Sequence, residues 1–126
     1  MPLQLSTYRY GTPRSRTEGV RIGTTRYLPR GVSKQDYASQ NYFDVWLPVL
    51  APSRELLRWY RDGDREVEKF YDRYRRQMKK TDARQAIALL REIASRTPIA
   101  VGCFCDDESR CHRVALAKLI CSREAG

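Results

Sequence analysis

The sequence predicts a small α/β domain: a few-stranded sheet flanked by helices that closes on a strand–loop–helix unit. Three observations carry this reading. Short β-branched and alternating segments lie near the start, the middle is patterned at helical spacing, and an uninterrupted apolar run behind Pro98 precedes one more helical pattern. A length of 126 residues fits one domain, so residues 1–126 are taken as a single unit.

The elements follow in order. Leu3, Leu5 and Thr7 alternate with Gln4, Ser6 and Tyr8, which predicts a first strand, and the polar stretch Gly11-Thr12-Pro13-Arg14-Ser15-Arg16 turns away from it. Val20, Ile22, Thr24, Thr25 and Tyr27 predict a second strand from Val20 to Leu28, ended by Pro29 and Gly31. The connection between these strands is too short for a parallel crossover through a helix, so they either pair antiparallel or are not neighbours. Residues 32–52 read as an irregular, apolar-rich connection with Trp46 in the core. Three helices come next: Arg54 to Tyr60 capped by Ser53, a second capped by Asp64 and reaching about Lys79, and a third opened by Asp82 and stopped before Pro98. The run Ile99 to Cys105 predicts a strand buried on both faces, and Cys111 to about Arg123 a final helix with Cys121 inside the core.

Composition narrows the function classes. Hydrophobic residues make up 41% of the chain and thirteen residues are aromatic, which argues against disorder. No apolar run is long enough to span a membrane, and the first ten residues lack the pattern of a signal peptide. The expected location is therefore the cytoplasm, where four Cys serve as thiols, ligands or nucleophiles rather than disulfides. Twenty-four basic residues, nineteen of them Arg, exceed fifteen acidic ones to give +9. Between Arg54 and Lys80 the signs alternate, as on a solvated helix face, whereas residues 1–30 hold six Arg against Glu18 alone. The N-terminal third is accordingly the candidate anion-facing surface. A non-catalytic nucleic-acid binder using Arg9, Arg14, Arg16 and Arg21 is one reading of it.

The chemistry concentrates in residues 103–113, which hold the one His and three of the four Cys. Cys105 falls at a strand end, and Cys111, His112 and Arg113 open a helix, the place where open α/β sheets bind ligands and where helix N–H groups attract anions. Helix N–H groups and the flanking Arg110 and Arg113 favour a thiolate at Cys111, while Asp106, Asp107 and Glu108 oppose it. Three chemistries stay open: a nucleophilic or redox thiol (Cys105 or Cys111) with His112 as proton carrier, a zinc site on Cys103, Cys105, Cys111 and His112, and an anion pocket in which the thiols are incidental. A buried strand with small apolar Cys is the bland alternative. A phosphatase of the Cys-x5-Arg type is excluded, because Ser109 and Cys111 stand where the Arg would be needed.

The segments Tyr27-Leu28-Pro29-Arg30-Gly31-Val32-Ser33-Lys34, Trp46-Leu47 and Leu50-Ala51-Pro52-Ser53 resemble the DUF488 family, particularly its YeaO-like branch. Leu28 stands where that branch usually has Trp. The ending Cys103-Phe104-Cys105 to Cys111-His112-Arg113 is similar to the C-H-R ending of the wider group. The resemblance implies an α/β domain and a single site formed by Arg26, Arg30 and the 105–113 segment, and it implies no reaction. The resulting expectation is an anion- or nucleotide-type pocket. Arg26, Arg30 and Arg113 would hold an anionic ligand there, and Cys105, Cys111 and His112 would carry any catalysis.

Overall fold

The computed structural model describes residues 3–63, 66–105 and 111–122. Its centre is strand β4 (Ile99–Cys103), in which all five residues are buried. β1 (Leu5–Arg9) pairs parallel with one edge of β4, and β2 (Val20–Gly23) pairs parallel with the other. A two-residue strand β3 (Val45–Trp46) pairs parallel with β2, giving the order β1-β4-β2-β3. The first two strands are thus not neighbours. β4 lies between them, and so the ten-residue link does not have to make a hydrogen-bonded pair.

The helices are α1 (Arg54–Asp62), α2 (Val67–Gln77), α3 (Thr81–Ala94) and α4 (His112–Cys121). Ser53 caps α1, its Oγ accepting from the Leu56 N–H at 3.1 Å. The expected cap Asp64 and helix end Arg123 lie outside the described residues; α2 has Glu66 as its N-cap and stops at Gln77, and α4 ends at Cys121 with Ser122 as its C-cap. Arg91 of α3 closes the far end of α4 by donating to the carbonyls of Ile120, Leu119 and Ser122 at 2.7, 3.2 and 2.6 Å.

Alternation along β4 sorts the core into two layers. Ile99 and Val101 face the helices, where Leu56, Phe70, Tyr74, Ile87, Leu90, Leu116 and Ile120 pack. Ala100 faces an aromatic layer of Tyr8, Tyr10 and Phe43, with Tyr37, Tyr42 and Trp46 against it. Gly102 belongs to that second face because a Cβ there would lie 2.5 Å from the Tyr8 ring.

Four expectations change. β2 stops at Gly23, well short of Leu28, although Thr24 and Thr25 are good strand formers. Their carbonyls accept from side chains, Thr24 O from His112 Nε2 at 2.8 Å and Thr25 O from Trp46 Nε1 at 2.8 Å, and the chain leaves the sheet. β4 ends at Cys103, so Phe104 and Cys105 emerge at the surface. Trp46 is half-buried at the sheet edge, and Cys121 is exposed.

The largest surprise is Arg21, which is fully buried. Glu18 grips its guanidinium at 2.6 and 3.1 Å. The carbonyls of Thr12, Asn41 and Pro13 accept its remaining N–H groups, and the Tyr8 ring lies 4.2 Å from Cζ. Arg14 forks onto Asp44 at 2.9 and 2.8 Å. Two of the four Arg that the nucleic-acid reading placed on the N-terminal surface are therefore engaged in holding loops together.

Candidate functional site

The thiols meet because β4 ends where α4 begins. Cys103 is the last residue of the strand and Cys111 the N-cap of the helix; both are buried, with Sγ atoms 2.6 Å apart. Cys111 makes no side-chain cap bond, so its thiol is left to face Cys103. Cys105 sits two residues beyond the strand, exposed, with its thiol hydrogen-bonded to both buried partners.

His112 is the first residue of α4 and almost fully buried. Its Nε2 lies 2.8 Å from the Thr24 carbonyl, which can only accept, so Nε2 carries the proton. The Thr24 hydroxyl oxygen shares that proton at 3.1 Å while donating its own to Gly102 O at 3.0 Å. Nδ1 is thereby left with its lone pair toward Cys111 Sγ, 3.7 Å away. Burial holds the imidazole neutral, pushing its pKa down to about 4. Arg113, also buried, donates from Nη1 to the Cys105 carbonyl at 3.1 Å and approaches Cys103 Sγ at 3.5 Å.

Hydrogen bonds from Cys103 and then Cys111 hold the Cys105 thiol far below its ordinary range, against its partial burial, and the Arg113 charge adds to the effect. Hydrogen bonding with Cys105 pushes the Cys103 thiol up, and hydrogen bonding with Cys103 first and Cys105 second, together with burial, pushes Cys111 up. These opposite directions favour Cys105 over Cys111 at the helix start as the more acidic thiol. Asp106, Asp107, Glu108 and Arg110 lie outside the described residues.

A cavity of about 280 Å³ opens onto this cluster. Cys103, Cys105 and His112 form one wall, Tyr27 and Phe104 supply aromatic surface, and Arg26 and Arg61 bring positive charge. Arg26 is held in place by donating to the carbonyls of Pro52 and Ala51 at 3.2 and 3.1 Å. Arg30 is exposed and is not among the lining residues. Arg113 braces the thiols from within the fold rather than lining the cavity. Sequence reasoning did not single out Thr24, whose role depends on a carbonyl, or Arg61, which is one of many alternating charges on α1.

Cys103 Sγ, Cys111 Sγ and a His112 ring nitrogen lie within 4.8 Å of one another, a cluster that could bind a metal ion. No helix among the described residues is long and apolar enough to cross a membrane.

The chain is 27% identical over 106 residues to uncharacterized proteins of Mycobacterium tuberculosis and Mycobacterium bovis, a match covering 84% of each chain. No solved structure matches. The model of the DUF488-N3a family, described as the active DUF488-N3 subclade, matches residues 5–124. Since that span takes in the sheet, all four helices and the whole thiol cluster, the chain belongs to the DUF488-N3a family.

Proposed function

We propose that the protein is a thiol-dependent enzyme acting on an anionic substrate. The observation that carries this is Cys105, an exposed thiol in a cavity wall, hydrogen-bonded from behind by two buried thiols. In this reading Cys105 is the nucleophile and Arg26 and Arg61 attract the substrate's negative group. Tyr27 and Phe104 receive its flat or apolar part. His112, the proton carrier of this reading, faces the Cys111 thiol through its Nδ1 lone pair, and Arg113 fixes the Cys105 backbone. Cys121, exposed on the same chain, provides an internal reference. Iodoacetate, an anion, reacts with an ordinary thiolate more slowly than neutral iodoacetamide does. Cys105 should react faster than Cys121 with both reagents, and its relative preference for iodoacetate should be higher by about tenfold at low salt. Equal reactivity of the two residues toward both reagents would remove the reading.

A second reading has its own observation. The Nε2–H···O=C bond from His112 to Thr24 is the arrangement that orients a metal-binding imidazole, with Nδ1 as donor. Cys103, Cys111 and His112, joined by Cys105, would make a Cys3His zinc set. Thiolates on one zinc stand about 3.8 Å apart, so the ion would have to part Cys103 and Cys111, which is why this reading comes second. It requires one zinc per chain in protein purified without chelator, lost in Cys103→Ser; folded protein without metal excludes it.

A further inference from the structure

The basic excess of the helical middle has a place in the fold. Two grooves of about 520 and 430 Å³ lie against α1 and α2 and share Ser53, Glu55, Gln77 and Lys80 as a common wall. The first carries Arg73 and Arg76, and the second carries Arg54 and Arg26. Arg26 also lines the thiol cavity, so it joins the grooves to that cavity. Against these five cations, counting Lys80, stand Glu55 and Asp82.

Two features make this more than a solvated face. The Arg73 guanidinium is held over the Trp59 ring at 4.1 Å, which presents a flat cationic plane of the kind that stacks on a nucleobase. Gln77 clamps the groove floor, donating to Ala51 O at 2.7 Å and accepting from Ser53 N–H at 2.9 Å. That bond and the Ser53 cap occupy N–H groups at the start of α1, so the groove's attraction for anions comes from side chains. Forked Arg guanidinia spaced along a groove match phosphodiesters, and a stacking plane among them favours nucleic acid over an acidic peptide.

We propose that this groove binds a single strand of nucleic acid, with Arg73 on a base, Arg76 and Lys80 on the backbone, and Arg26 where the strand meets the thiol cavity. The proposal deepens the thiol-enzyme reading by naming its substrate class, and in that respect it rests on it.

Fluorescence anisotropy with fluorescein-labelled oligo-dT and oligo-rU, about twelve nucleotides long, tests the groove directly. Binding is expected with a log–log salt slope near −2, as about three neutralised phosphates require on a single strand. The Arg73→Ala/Arg76→Ala/Lys80→Ala variant should bind at least about tenfold more weakly with a flatter slope, and Trp59 emission should change on binding. All three substituted side chains are exposed, and an unchanged circular dichroism melt checks folding. Arg96→Ala/Lys118→Ala, exposed and outside both groove linings, should bind as the wild type does. Absent binding at low salt, a triple variant as tight as the wild type, or equal displacement by polyglutamate would each overturn the proposal. The two readings fail separately. Absent binding with a still hyper-reactive Cys105 removes the groove alone, whereas intact binding with an ordinary Cys105 supports the groove and removes the thiol chemistry.

Discussion

A charge-bearing residue can be spent on the fold or kept for a ligand, and Arg21 shows the first case. It is fully buried, with Glu18 and three carbonyls taking its N–H groups, so replacing it leaves acceptors stranded. Arg21→Met should cost about 3–5 kcal/mol by urea denaturation, a large share of a small domain's stability. The same cluster sets the acid limit. Hydrogen bonds from Arg21 hold Glu18 below its usual carboxylate range; at Asp44, burial pushes upward but the Arg14 fork and the Arg21 N–H outweigh it. Both folded values are depressed. Their contribution is therefore complete above the unfolded values of about 4.3 and 3.9 and is lost as pH falls through the folded ones. Stability should hold from pH ~7 to ~5 and drop below ~4, and Glu18→Gln should start lower and fall less steeply. Nothing in the sequence separates Arg21 from the five other Arg of residues 1–30. All look alike until Glu18, three positions back, folds onto one of them. The thiol cluster was easier to find, since three Cys and the one His fall within eleven residues, but the identity of the thiolate depended on which Cys the strand end would expose.

At the scale of elements, periodicity revealed the helices and propensity misjudged β2. All four expected helices form, with ends displaced by one to three residues, because a 3.6-residue apolar stripe has one way to be buried while helix ends depend on local caps. Thr24 and Thr25 look like strand, yet their carbonyls are taken by an imidazole and an indole from distant parts of the chain, which no local pattern encodes. The junctions offer two checks. Arg91→Ala removes three bonds from the last carbonyls of α4, so amide exchange at residues 119–122 should accelerate and stability should fall by about 1–2 kcal/mol, while Cys105 alkylation stays unchanged. Gly102→Ala drives a methyl into the Tyr8 ring from the strand that carries Cys103, so it should cost about 1–3 kcal/mol and disturb thiol reactivity together with stability.

Across the whole molecule, the sheet has helices on one face and an aromatic loop layer on the other, and the candidate site lies at the carboxyl end of its central strand. That location was legible from the apolar run and the helix after it, as a consequence of parallel topology. The convergence of Arg26 with Cys105 was implied by the family resemblance alone, because it needs β2 beside β4, an order that strand spacing leaves open. That order has a further consequence for how the chain comes to be folded. β1 and β2 hydrogen-bond through β4, whose partner residues come 94 and 79 positions later, so during synthesis the first two strands have no mutual pairing to adopt. The sheet and the thiol cluster can close only after residues 99–112 have left the ribosome, which makes assembly of the site a concerted event that waits on β4. Until then, all four cysteines are reachable by thiol reagents. A pulse of alkylation should therefore modify Cys103 and Cys111 in the nascent protein and spare them in the finished one.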